Sequence, residues 1–154
     1  MRQVRLDELT YALFAGMRRW RAQDRKALAG DAWDRFDEWR LEHAAKELIQ
    51  QLHGCEFYGG SEPEPLGPKA LETLLVDCMK RWPGERRQQF VAPTPREREW
   101  AKYHAAHLLA DQLGAFTILR DAPEPPFFRF ANFEGGSGAV PETDEEWDRR
   151  RRER

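Results

Sequence analysis

Residues 94–114 read TPREREWAKYHAAHLLADQLG and carry the clearest helix signal in the chain. Thr94 and Glu97 have the spacing of a capping box, in which each side chain accepts a hydrogen bond from an amide that the first helical turn leaves unbonded. Pro95 stands at the first helical position, where a missing N–H is harmless. Gly114 provides the stop. The segment therefore predicts a capped helix that ends just before this glycine.

Three further segments place apolar side chains at helical spacing. Leucine, methionine, alanine and tryptophan recur at three- and four-residue steps in 7–29, 31–53 and 68–82, and glycine or Pro-Gly closes each segment. A chain of 154 residues is long enough to bury one core. The fold class that we expect is mainly α (α+β), with about four helices around a single core.

A small β component is predicted near the end of this domain. Aromatic and β-branched residues dominate 116–119 and 127–133, and the proline-containing segment 121–126 between them has the composition of a turn. We therefore expect a small C-terminal β-hairpin. A second short strand is predicted at 56–58, where aromatic residues precede a glycine pair.

Composition divides the chain into a body and a tail. Residues 1–133 hold nearly all of the apolar periodicity and are expected to form one helical domain. Residues 134–154 begin with a glycine- and serine-rich stretch and end in alternating acidic and basic runs. This composition is typical of flexible linkers, so we expect a flexible charged tail.

Two of the predicted helices share one pattern. Trp-x3-His-Ala-Ala-x2-Leu-x2-Gln-Leu starts at Trp39 and again at Trp100, 61 residues later, and an aromatic segment follows each copy. Duplication would explain this echo, and it would give two helix–strand units, 31–58 and 94–133, packed about a pseudo-twofold axis. Coincidence would explain it as well, because alanine and leucine are favoured in any helix.

One helix face carries a set of candidate metal ligands. His104, His107 and Asp111 are offset by three and seven residues and fall on one side of the predicted helix. Imidazole and carboxylate groups suit zinc or another divalent metal. Residues seven apart on a helix are separated by about 10 Å, so two of the three would hold one ion and further ligands such as His43 would be needed. The competing interpretation is a solvated polar stripe.

Charge is distributed in alternating basic and acidic blocks around a net charge of −2. Arginines for phosphate groups and aromatic rings for bases would suit single-stranded nucleic acid, whereas an acidic total disfavours it. Solvated helix faces would produce the same blocks. The candidate nucleic-acid or partner-binding residues are Arg18, Arg19, Arg86, Arg87, Arg149, Arg150, Arg151 and Arg152.

Enzyme signatures are missing from the sequence. There is no glycine-rich phosphate loop, no GxSxG elbow and no HExxH helix. The leading hypothesis is a non-enzymatic interaction module or accessory subunit that docks on a protein or nucleoprotein assembly, of the kind a phage or mobile element encodes, with no cofactor. The alternatives are a metal-dependent hydrolase built on the His/His/Asp face and a nucleic-acid-binding protein that uses the arginine-rich faces and tail.

The expected location is the cytoplasm. The first residues lack an apolar signal segment, and no stretch approaches the roughly 20 apolar residues that a membrane helix needs. Two cysteines are too few for a disulfide scaffold. We therefore expect no contact with a membrane.

Overall fold

The computed structural model describes residues 1–121, in which the chain forms six α-helices and three β-strands. The helices are α1 (Leu6–Met17), α2 (Ala22–Ala29), α3 (Arg35–Gln51), α4 (Pro68–Lys80), α5 (Gly84–Gln88) and α6 (Pro95–Gln112). The strands are β1 (Arg2–Gln3), β2 (Cys55–Gly59) and β3 (Phe116–Arg120). The prediction of a mainly α fold with a small β part is confirmed.

The first predicted helix, 7–29, is two helices in the structure. α1 ends at Met17 and α2 starts at Ala22, because the chain turns inward at Trp20. This indole is buried, and its Nε1 donates to the Ala44 carbonyl oxygen at 3.0 Å. A tryptophan at the end of an apolar stripe fits a continuous helix equally well, so periodicity alone could not reveal the break.

The other helix boundaries follow their caps. α3 begins later than predicted, since the Asp34 side chain accepts from the Asp37 amide and fixes the start. α6 begins after Thr94, whose hydroxyl accepts from the Glu97 amide at 3.3 Å, and it ends at Gln112. α5 was not predicted, because five residues are too few for a periodic signal.

The three strands form one antiparallel sheet in the order β1–β3–β2. β2 contains the strand predicted at 56–58, and β3 contains the one predicted at 116–119. β3 pairs with β2 along its whole length and with β1 at Leu119 and Arg120. The predicted second hairpin strand, 127–133, and the predicted tail, 134–154, lie outside the described residues.

The same order of helices and strands occurs twice in the described residues. Unit one (residues 4–59) and unit two (residues 66–120) each run from an extended start through three helices to a strand, so that α1, α2, α3 and β2 correspond to α4, α5, α6 and β3. The match includes the core. Equivalent buried residues 62 apart are Leu9 and Leu71, Leu13 and Leu75, Met17 and Met79, and Trp20 and Trp82.

The strand register relates the two units by a local twofold axis. Phe57 pairs with Ile118, which is its own equivalent 61 residues later, and the ends of the ladder match in the same way. Reciprocal bonds flank this point: Val4 N donates to the Ile118 oxygen at 2.9 Å, and Leu66 N donates to the Phe57 oxygen at 2.8 Å. The helices also exchange partners, since α1 packs on α6 and α4 packs on α3.

The two units share one hydrophobic core. Their buried apolar side chains form a continuous cluster to which all the long helices and both strands of the central ladder contribute. No helix within residues 1–121 has the length and apolarity needed to cross a bilayer.

A close approach between two helices lies at Gly16, where α1 crosses α3. A Cβ at this position would lie 2.9 Å from Leu48 Cδ2 and 3.1 Å from Leu48 Cα, and the second contact is with backbone that cannot rotate away. We expect Gly16→Ala to lower the free energy of unfolding by about 1–3 kcal/mol, measured by urea denaturation. Gly114→Ala is the control, because no atom lies within 4 Å of its added methyl group. A Gly16→Ala protein as stable as the parent would contradict this packing.

Candidate binding cleft

The third helix of each unit carries a tryptophan stacked on a histidine one turn later. The ring centroids of Trp39 and His43 are 6.0 Å apart with an interplanar angle of 28°, and those of Trp100 and His104 are 5.2 Å apart at 19°. Both pairs lie opposite the buried leucine stripe of their helix. The sequence echo therefore places the same aromatic pair at equivalent positions of the two units.

A cleft of about 300 Å³ opens beside the second of these pairs. It lies between the turn that joins α4 to α5 and the outer face of α6. Its floor is apolar, and among residues 1–121 the ionisable side chains in its lining belong to Arg86 and His104. The lining consists of Trp82, Pro83, Arg86, Ala101, His104, Ala105 and Leu108. No carboxylate is among these residues.

The ionisable groups that influence His104 in the cleft are basic. Partial burial lowers the pKa of His104 below its usual range, and the nearby charges of Arg86 and His107 lower it further. A depressed imidazole pKa means that a positive charge is already disfavoured at this point. Burial is the larger cause, and the Arg86 guanidinium is the nearby positive charge with which an anionic group could pair.

The equivalent position in unit one is closed by its own side chains. Asp24 is fully buried there, with its Oδ1 3.5 Å from Arg40 Nη1 and its Oδ2 3.3 Å from His43 Nδ1. The same carboxylate accepts from the Arg21 amide at 3.1 Å, which caps the start of α2. A charged network therefore occupies the space that is open in unit two.

Two differences between the units open the cleft. Arg40 of α3 corresponds to Ala101 of α6, so the long side chain that fills unit one is replaced by a methyl group. Asp24, at the third position of α2, corresponds to Arg86, at the third position of α5, so the charge is reversed. Pro83 has no backbone N–H to be capped, and unit two therefore does not need the carboxylate that caps α2.

The candidate metal ligands are spread along α6. His104 is exposed at the cleft, His107 packs edge-on against Tyr103 with centroids 4.8 Å apart, and Asp111 is exposed one turn further on. In the part of the chain covered by residues 1–121, no group of three or more His, Cys, Asp or Glu side chains is arranged to hold a metal ion. The structure therefore places His104 in the lining of the cleft and not in a cluster of metal ligands within the described residues.

The candidate basic residues have different environments. Arg18 Nε lies 2.7 Å from the buried Glu99 carboxylate, and Arg19 Nε lies 3.1 Å from Glu47. Arg87 is buried, and its guanidinium donates to the carbonyl oxygens of Trp82, Leu28 and Gly30, so it ties α5 to the end of α2. Arg86 is exposed at the cleft. Arg149, Arg150, Arg151 and Arg152 lie outside the described residues.

The sequence interpretation named Arg86 and His104 for unrelated chemistries, and the structure brings them together. It missed Ala101 and Asp24, neither of which belongs to a motif. The signal that could have found them is the match between the two units, because the cleft exists only where the units differ.

A second surface feature lies on α3. Phe36 and Trp39 are 59% and 52% exposed, and the Arg40 guanidinium lies over both rings, 5.3 and 4.8 Å from their centroids. Phe36 and Trp39 lie in unit one, on the same helix as Arg40 and His43, which contact Asp24.

Comparisons of the chain with protein-family models, with curated proteins and with solved structures found no match.

Proposed function

We propose that this protein is a non-enzymatic interaction module that docks on a protein partner, and that a short segment of the partner enters the cleft of unit two. The observation that carries this proposal is that the cleft is open in only one of two otherwise equivalent positions. Packing closes such a space by default, as it does in unit one, so an open copy indicates a site kept for a ligand.

The size and lining of the cleft support a peptide segment as the ligand. A volume of about 300 Å³ is at the lower end of ligand pockets, enough for one or two side chains. The floor combines apolar contact with two directional polar groups, Arg86 and His104. Tryptophan and arginine are the residue types that dominate binding energy in protein interfaces, and Trp82 and Arg86 both line the cleft.

A selection from a random library of 12-residue peptides tests this function. We expect peptides that bind the full-length protein and lose at least tenfold in affinity for Ala101→Arg, which restores the arginine of unit one and fills the cleft. Ala70→Arg on the exposed start of α4 is the matched control and should bind as the parent does. Thermal denaturation establishes that both variants fold. Leu108→Arg, at another residue that lines the cleft, is a second variant expected to block peptide binding.

Two results would overturn the proposal. The first is a library from which no peptide is enriched. The second is a set of enriched peptides that bind Ala101→Arg and Leu108→Arg as tightly as the parent, because such peptides would use another surface.

A further inference from the structure

Unit one shows what an occupied version of the cleft contains. The Asp24 carboxylate is buried and lies between the guanidinium of Arg40 and the imidazole of His43. An ion pair with a guanidinium and a hydrogen bond to a ring nitrogen are usual ways in which a buried carboxylate is satisfied. The site in unit one is therefore a carboxylate site whose carboxylate belongs to the protein itself.

Unit two retains the histidine of this site and lacks the carboxylate. His104 and Trp82 stand at the positions of His43 and Trp20, and Arg86 replaces the aspartate. The cleft thus has two basic groups, one on α5 and one on α6, and the α4 end that closes it contributes only Trp82 and Pro83. His107, on α6 itself, adds a further basic group nearby.

The space left by the missing arginine side chain is apolar. Ala101, Ala105 and Leu108 line the α6 side, and Pro83 lines the side opposite. This surface suits an aliphatic or aromatic group next to an anion, since apolar contact stabilises the first and the two basic groups stabilise the second.

We infer that the ligand completes this site with a carboxylate: an aspartate or glutamate side chain of a partner peptide, next to an apolar residue that lies on Ala101 and Leu108. The inference rests on the proposed function and names the chemistry of the segment that enters the cleft. A nucleic-acid strand fits less well, because its phosphates need several basic groups along a groove and the lining offers one arginine.

Blocked dipeptides test the carboxylate directly by NMR. The probes are N-acetyl-leucyl-glutamate amide and its glutamine counterpart, titrated into the full-length protein. We expect the glutamate peptide to shift the Trp82 indole proton and the His104 ring protons. At saturation it should raise the pKa of His104 by about 0.5–1 unit, because a neighbouring carboxylate favours the imidazolium. The glutamine peptide should bind at least fivefold more weakly and leave that pKa unchanged.

Arg86→Asp restores at this position the carboxylate that unit one has. We expect this variant to raise the pKa of His104 without any peptide and to weaken binding of the glutamate peptide at least tenfold. Lys46→Asp, an exposed charge reversal on α3, is the matched control and should leave both quantities unchanged. Equal binding of the two dipeptides, or an Arg86→Asp protein with an unshifted His104 titration, would overturn the inference. A short oligothymidylate that shifts the same protons while the dipeptides do not would also overturn it.

The two proposals fail in different ways. Library peptides that bind in the cleft but lack acidic residues would refute the carboxylate and leave the interaction module standing. Absence of binding by both the library and the dipeptides would refute both.

Discussion

Replacing Glu99 with glutamine is expected to lower the free energy of unfolding by about 3 kcal/mol or more, the usual consequence of removing one partner from a buried ion pair. Glu99 and Lys102 are 1% and 2% exposed, and their charged atoms lie 3.4 Å apart on α6. The same carboxylate lies 2.7 Å from Arg18 Nε on α1. The amide keeps the shape of the side chain and removes the charge that compensates two basic groups. Urea denaturation measures the loss.

Two further variants test whether the loss comes from the buried charge. Glu64→Gln changes the same residue type in an exposed loop and should shift stability by less than about 0.5 kcal/mol. Combining Glu99→Gln with Lys102→Met removes the buried ammonium as well, and we expect it to recover at least half of the loss. A single variant as stable as the parent would show that solvent reaches this cluster.

Phe57→Ala should lower the free energy of unfolding by about 3–5 kcal/mol, the range observed when a buried phenylalanine is truncated. Phe57 is 1% exposed and stands at the centre of the β2–β3 ladder, where the two units meet across the local twofold axis. Its ring belongs to the cluster that joins the cores of both units. The variant would therefore leave a cavity where the cores meet, and chemical denaturation monitored by circular dichroism would report its cost.

Phe36→Ala is the matched truncation on the surface. The side chain is largely exposed on α3, and alanine favours a helix more than phenylalanine does, so stability should change by less than about 1 kcal/mol. A Phe57→Ala protein no less stable than Phe36→Ala would contradict the position of the shared core.

Helix α6 was predictable because local chemistry decides it. The Thr94 hydroxyl, Pro95 and the terminal glycine each favour the same boundaries, and the structure keeps them. The division of the first predicted helix was not predictable in this way. Trp20 continues the apolar stripe of α1, and only the burial of its ring against α3, with a hydrogen bond to Ala44, makes the chain turn.

Only part of the candidate binding cleft could be predicted from the sequence. Arg86 and His104 carry recognisable chemistry, so they were named, whereas Ala101 matters through the side chain that it lacks. Its meaning depends on Arg40, 61 residues earlier, and on knowing that both residues occupy the same place in their units. Chemically reactive side chains can be identified from a sequence, whereas an open space can be identified only from the residues that surround it in the structure.

The full repeat was hidden by a change of spacing. Equivalent residues are 62 apart from α1 to α2 and 61 apart from α3 to β2, because the connection into the third helix differs in length between the units. The pattern shared by α1 and α4 and the turns that follow them consists of four apolar residues, which any amphipathic segment of that length could present. The strand register shows that the two offsets belong to one repeat.

Because the two halves belong to one chain, amino-acid substitutions can accumulate in each half independently. In a symmetric homodimer, a mutation appears in both copies at once, so a substitution that helps recognition at one site weakens the other by the same amount. Joining both halves in one chain removes that constraint. In this chain one half has a salt-bridged interior at a position where the other half has a cleft.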